Sequence, residues 1–274
     1  MSIAHRYAFL QRLSREAGAF ALDFWQRREE LVVEMKGPQD FVSFADRAVE
    51  EMIRGAIARE FPDDAFLGEE TGADSSGSND RIWVVDPIDG THNFLRGIPY
   101  WNVSIAYVEH GVRTLGAICE PAVGSVYHAM RGKGAWRSDE RGDVQLRASA
   151  TSELPGAIVC VGHHDRSPDY RYLDVRRALM DRNVAFRNFG CAALQLAHVA
   201  EGRYDAYVEL ELSSWDAMAG LLLVEEAGGR VGPFPGPGGL TVRAPVIAST
   251  SGIASELMTL VRTCAKLDES YVID

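Results

Sequence analysis

Cysteine is scarce in this chain of 274 residues: Cys119, Cys160, Cys191 and Cys264 stand far apart and show no paired ligand spacing. That argues against a disulfide framework or a thiolate zinc site, and the four read as reduced thiols. Basic charge is also in short supply. The 28 lysines and arginines are outnumbered by 39 aspartates and glutamates, for a net charge of −11. Nonspecific nucleic-acid binding calls for a basic surface, so no nucleic-acid partner is expected. No apolar run approaches the roughly 20 residues that a membrane helix needs, and residues 1–10 lack the pattern of a signal peptide. A soluble, cytoplasmic protein with no membrane partner is therefore expected. Internal repeats are absent, and the glycine- and proline-rich run at 232–239 is a loop too short to link domains. Hydrophobic residues still make up 46% of the chain, enough for a large core in one big domain or two smaller lobes.

Among what is present, the run Trp83-Val84-Val85-Asp86-Pro87-Ile88-Asp89-Gly90-Thr91 carries the most information. Residues 82–85 are β-branched or aromatic and suit a buried strand, and Pro87 cannot donate to a ladder, so the strand is expected to stop near Asp86. Two carboxylates three residues apart then sit at its mouth. A helix opening at Gly90 and Thr91 points free N–H groups at any neighbouring anion. Carboxylate oxygens hold a hard cation, and a helix start holds a phosphate. Taken singly, Asp86 closing a turn and Asp89 capping a helix is the plainer reading. Two further acidic segments shift the balance. Gly68-Glu69-Glu70 follows the apolar Ala65-Phe66-Leu67, and Trp215-Asp216 precedes a run at 217–224 that is apolar on nearly every face, hence a buried helix. Isolated buried carboxylates are costly, whereas several around a divalent cation stay ionised.

These segments resemble the inositol monophosphatase family of magnesium-dependent, lithium-sensitive phosphomonoesterases. The match runs in order through Lys36, then Asp40-Phe41-Val42-Ser43-Phe44-Ala45-Asp46, Gly68-Glu69-Glu70, the stretch 86–94, and Trp215-Asp216 with Glu225-Glu226-Ala227-Gly228-Gly229. Five ordered matches are far more specific than a lone Asp-Gly-Thr. The resemblance implies metal ligands at Glu69, Asp86, the Ile88 carbonyl, Asp89 and Asp216, and two or three Mg2+ ions per subunit. It also implies Thr91 beside the attacking water, held by Asp46, with the Gly90 and Thr91 amides on the phosphate and Glu69 as proton acceptor. Glu209, seven residues before Asp216, falls where substrate hydroxyls are contacted, and Gly190-Cys191-Ala192 falls on a short substrate-lining stretch. The implied reaction is hydrolysis of a phosphate monoester by direct in-line attack of water, with metal ions countering the poor nucleophile and poor leaving group. A homodimer is implied as well.

Helical spacing of Leu10, Leu13, Ala17, Phe20, Ala21 and Phe24, and again of Ala45, Val49, Met52, Ile53, Ala56 and Ile57, predicts two amphipathic helices whose stripes are core. Residues 31–35 read as a strand, and Gly37-Pro38-Gln39-Asp40 as a loop carrying Lys36 and Asp40 toward the site. From 103 to 136 the pattern is a strand meander turning at 109–111, 121–124 and 131–134. Strands are then expected at 157–161, 206–209 and 246–248, with helices at 172–180, 192–201, 216–227 and 255–266. The expectation is a layered sugar-phosphatase fold of the α+β and α/β type. An N-terminal lobe, residues 1–150, sets helices on an antiparallel sheet and carries most ligands. A C-terminal α/β lobe, residues 151–274, carries Asp216 and the substrate contacts, with metals between the two.

His163-His164-Asp165 is expected to be a surface feature in reach of substrate, not a zinc site, because adjacent histidines diverge and Ser167-Pro168-Asp169 marks a turn. His92, where many inositol-type relatives carry threonine, stands on the first turn of the phosphate-facing helix; pointing into solvent or the core is the favoured expectation, and contact with the substrate phosphate or stabilisation of the turn is the alternative. Cys191 is expected to be a small core residue near the substrate. Asn93-Phe94 after the Asp-Gly-Thr looks like the inositol and fructose-bisphosphate branches, and Glu209 suits a polyol. Inositol 1-phosphate is therefore the expected substrate, with fructose 1,6-bisphosphate, histidinol phosphate and phosphoadenosine phosphate as alternatives. Some relatives act through protein partners, including the transcription machinery, so a regulator is the competing class.

Overall fold

A computed structural model describes residues 2–30, 33–37, 40–74, 77–163, 170–268 and 271, with the backbone alone at 33–37, 40–43, 78 and 79. Pro38, Gln39, His164, Asp165 and the Ser167-Pro168-Asp169 turn lie outside the described residues.

Helix α1 (Ile3–Gln26) starts at a Ser2 cap and leads into the hairpin β1 (Val33–Gly37) and β2 (Asp40–Ser43), then α2 (Phe44–Glu60). Strands β3 (Asp64–Gly68), β4 (Gly72–Asp74) and β5 (Ser78–Asp89) follow, with the short α3 (Thr91–Arg96) after them. The meander comprises β6 (Asn102–Glu109), β7 (Val112–Glu120), β8 (Ser125–Met130), β9 (Ala135–Asp139) and β10 (Gly142–Gln145). Beyond it run β11 (Ile158–Val161), α4 (Arg171–Met180), β12 (Ala185–Arg187) and α5 (Ala192–Ala200). The remainder is β13 (Ala206–Leu212), α6 (Ser214–Glu226), β14 (Arg230–Val231), β15 (Ala244–Ser249) and α7 (Ala254–Ala265).

Two large sheets organise the molecule: eight strands in the order β10-β9-β8-β7-β6-β5-β3-β4, and five in the order β12-β11-β13-β15-β14. The first is antiparallel except that β3 runs parallel to β5. Period-two alternation sends its side chains to two apolar faces. Trp83, Val85, Ile105 and Leu115 pack with Leu10, Leu13, Val49 and Ile53 of α1 and α2. Val84, Ala106 and Ile118 point the other way, into α5 and α6. That same cluster takes in Tyr207, Val246 and Ala248 of the second sheet, so the two helices form a middle layer between sheets. Its position explains why every residue of α5 is buried and why α6 is apolar all round from Ala217 to Val224. Beyond the second sheet, Val159, Val208 and Ile247 pack with Val175 and Leu179 of α4 and Leu257 and Val261 of α7. Among the described residues no helix is long and apolar enough to cross a membrane.

Two local expectations need correction. Strand β5 does not stop near Asp86 but continues to Asp89. Asp86 pairs with Ser104 and Asp89 with Asn102, so one strand gains a residue on the other and Pro87 falls inside a bulge, where no ladder donor is demanded. Lys36 and Asp40 lie on the paired strands β1 and β2, not in an open loop.

The middle layer is tightly packed. A Cβ added at Gly220 of α6 would lie 2.5 Å from Leu196 Cβ of α5. Overpacking of that kind costs about 1–3 kcal/mol, against the gain of about 1 kcal/mol from alanine's helix propensity. Gly220→Ala is therefore expected to lower stability by about 1 kcal/mol, the middle of a net range of about 0–2 kcal/mol, read as a lower urea midpoint; an unchanged or higher midpoint would show that the layer can yield.

Candidate metal centre

The bulge at the end of β5 aims two acids into one place. Asp86 Oδ1 accepts the Ile88 N–H at 2.9 Å, which satisfies the bulged backbone and orients the carboxylate. Gly90 then takes a φ of +87°, turning the chain into α3; a side chain there would meet Cys191 Cβ and Tyr100 O at 3.2 Å. Thr91 Oγ1 donates to Ile88 O at 3.1 Å and lies 3.4 Å from Asp46 Oδ1 on the buried face of α2. Asp216 arrives from the far side, in the first turn of α6, where Ser104 Oγ of β6 donates to Trp215 O at 3.1 Å.

One oxygen from each of Asp86, Asp89 and Asp216 lies within 4.8 Å of the others. Burial, then the charges of Glu69, Asp216 and Asp89, push the Asp86 carboxyl well above its ordinary range. Burial and next the charge of Asp89 push Asp216 up to about 7. Asp89 is also raised by burial, although four donors oppose the rise. They are Asn102 Nδ2 and the Ala193 amide, each 2.8 Å from Oδ2, the Cys191 thiol at 3.2 Å from Oδ2, and the Ala192 amide at 3.3 Å from Oδ1. The last two amides open α5, whose positive end suits a carboxylate.

The cluster lies in a cleft of about 440 Å³ that Glu69, Gly90, Thr91, Glu209 and Gly190 also line. Glu69 follows β3, and its loop is fastened by a residue that sequence reasoning missed. Glu50, fully buried on α2, accepts the Glu70 and Thr71 amides at 2.9 Å each. Its own carboxyl is raised, chiefly by burial. The signal was available, since Asp46 and Glu50 lie one helical turn apart on the stripe that also carries Val49 and Ile53. Glu209 on β13 accepts from Tyr207 Oη, and burial lifts its carboxyl to about 8. Glycine at position 162 leaves room for this carboxylate, because a Cβ there would approach Glu209 Oε2 to 2.0 Å and displace the Glu209 or Tyr207 side chain. Gly190 sits at φ +65° with its amide on Asn188 Oδ1 at 3.0 Å. Ala192 lines the cleft, but its amide is turned to Asp89.

His92 is exposed and lines the cleft beside Thr91. His163 lines the cleft and stacks on Tyr172 with ring centroids 4.0 Å apart. Cys191 is buried yet no bland core residue, since its sulfur bridges Asn102 and Asp89. The Asn93 amide donates to Tyr100 O at 2.8 Å and Phe189 O at 2.7 Å, fastening α3 to the 188–191 loop. All four cysteines are free thiols.

An all-oxygen donor set, with Asp86 and Asp89 buried and Asp216 partly so, and mutually repelling, suits a hard divalent cation: the charge that makes the cluster unfavourable is the charge such an ion neutralises. Comparison with known proteins identifies the family. The model of the inositol monophosphatase family matches residues 3–269. The inositol-1-monophosphatase of Rhizobium meliloti is 36% identical over 256 residues, covering 92% of this chain and 94% of its own. The Nus factor SuhB of Pseudomonas aeruginosa is 36% identical over 257 residues, covering 92% of this chain and 93% of its own. In three dimensions the extragenic suppressor protein suhB from Bartonella henselae superposes with a TM-score of 0.85 at 33% identity, over 96% of this chain and 98% of that one. With its layered fold and its acidic cluster, the chain belongs to the inositol monophosphatase family.

Proposed function

We propose that the protein is a magnesium-dependent phosphomonoesterase acting on a small polyol phosphate, inositol 1-phosphate foremost. The observation that carries this reading is the set of three aspartates with oxygens within 4.8 Å of one another beneath a cleft bordered by Glu209. Asp86, Asp89 and Asp216, with Glu69 and the Ile88 carbonyl beside them, would hold two or three Mg2+ ions per subunit. Bound magnesium supplies acidity to water and neutralises charge on the phosphate.

The chain's own groups do the rest. Thr91 Oγ1 has one proton to divide between Ile88 O and Asp46 Oδ1, which leaves its lone pairs to orient the attacking water. Glu69, half-buried at the cleft, is the proton acceptor. The Gly90 and Thr91 backbone positions the phosphate for in-line attack, and no covalent intermediate is needed. Glu209, fixed by Tyr207, receives substrate hydroxyls, which favours a polyol over an apolar ester. The subunit is proposed to work in the cytoplasm as a homodimer.

A second reading has one specific support, the Nus-factor name of a relative 36% identical to this chain. It makes the chain a regulator acting through a protein partner such as the transcription machinery, with phosphatase activity incidental. Partner recovery from lysate independent of Asp86 would favour it.

Two outcomes test the enzymatic reading. Phosphate release with Mg2+ is expected to be greatest from inositol 1-phosphate, when compared with fructose 1,6-bisphosphate, histidinol phosphate and phosphoadenosine phosphate. Asp86→Asn should reduce kcat/KM by more than the roughly 10–100-fold typical of outer-layer metal partners. No release from any of the four would reject the reading.

The second outcome concerns pH in metal-free protein. Glu209 is raised from the usual 4.5 to about 8 and Asp216 from 3.8 to about 7. The folded chain then holds protons that the unfolded chain has lost, so stability must fall as pH rises through the window from about 4 to 8. Melting temperature without metal is expected to decline across that window and to recover with Mg2+ near its upper end. A flat profile, or no recovery, would contradict the proposed site.

A further inference from the structure

Asn102, the first residue of β6, is fully buried, and its Oδ1 has no hydrogen-bond partner among the described residues. Burying an amide with one end unsatisfied is unfavourable by itself, so the other end should explain its presence. Its Nδ2 donates to Asp89 Oδ2 at 2.8 Å and to Cys191 Sγ at 3.1 Å. The two oxygens of Asp89 are consequently treated very differently. Oδ2 receives Asn102, the Ala193 amide at 2.8 Å and the Cys191 thiol at 3.2 Å. Among the described residues Oδ1 receives only the Ala192 amide, at 3.3 Å. An oxygen ringed by three donors has no lone pair to offer a cation.

We infer that Asn102 is a positioning residue for the metal centre: it occupies Asp89 Oδ2, fixes the carboxylate's rotation and reserves Oδ1 as the ligand oxygen. The inference rests on the proposed metal site. Asn102 is not in the cleft lining, so its influence passes through Asp89 and through the Cys191 sulfur, which it also orients. Its register opposite Asp89 across the bulge explains how a side chain from the neighbouring strand reaches the carboxylate. Partners of this kind, which hydrogen-bond a metal ligand from behind, typically contribute 10–100-fold in affinity.

Mn2+ binding followed by electron paramagnetic resonance needs no turnover, so it separates this inference from the assignment of activity. Asn102→Ala removes the donor, and Asn102→Ser leaves a hydroxyl one bond too short to reach Asp89. Both are expected to bind Mn2+ at least about tenfold more weakly than the parent while retaining the metal-free fold by circular dichroism. Under turnover, the Mg2+ concentration for half-maximal rate should rise by a similar factor, with kcat at saturating Mg2+ within about threefold of the parent. A merely structural role would lower the melting temperature and leave the Mn2+ affinity alone. Unchanged Mn2+ affinity in a folded variant overturns the inference, and so does failure of both variants to fold. A parent that binds no Mn2+ would overturn both this inference and the metal site, whereas a parent that binds Mn2+ but hydrolyses no ester would remove the proposed activity alone.

Discussion

Like charges gathered out of water govern this molecule. Asp86, Asp89 and Asp216 reach within 4.8 Å of one another from the bulge of β5, its last residue and the first turn of α6. Apolar packing alone would never select such an arrangement, since each additional buried carboxylate raises the energy of its neighbours. What holds it is a set of donors directed at the acids: the Ile88 amide on Asp86, and the α5 amides, Asn102 and Cys191 on Asp89. The donors are fixed, and the repulsion that remains is what a divalent cation relieves.

The layered fold supplies the rigidity that this requires. Helices α5 and α6 are enclosed between two sheets, so neither the amides that face Asp89 nor the turn that carries Asp216 can retreat from the charge. Ser104 ties α6 to the strand beside Asp86, and Asn93 ties the loop before α5 to the helix after Asp89. The cleft is thus bounded by elements from distant parts of the chain that share one packed interior. Its far wall, Tyr207 and Glu209 on β13, belongs to the second sheet.

Much of this was legible in the amino-acid order, and the reasons are physical. Long amphipathic helices announce themselves through repeated apolar stripes, as in α1 and α2, and the meander through its glycine turns. The motif around Asp86 and Asp89 was visible because acids there interrupt apolar runs. Short or edge strands were not visible: β4, β12 and β14 span two or three residues, too few for any periodicity. The bulge that carries β5 past Pro87 depends on pairing with β6, a non-local fact. Asn102 and Glu50 escaped for a related reason. Each is a buried polar residue whose role is set by a partner elsewhere in the chain, 13 residues away for Asn102 with Asp89 and 20 for Glu50 with Glu70.

The claim on which everything else depends is that the three aspartates form a metal centre. A crystal structure of the protein grown with Mn2+, with anomalous scattering recorded at the manganese edge, tests it most directly. The account predicts anomalous peaks within coordination distance of Asp86, Asp89 and Asp216, with Asp89 contributing Oδ1. Peaks confined to other surface carboxylates, or none at full Mn2+ loading, would contradict it.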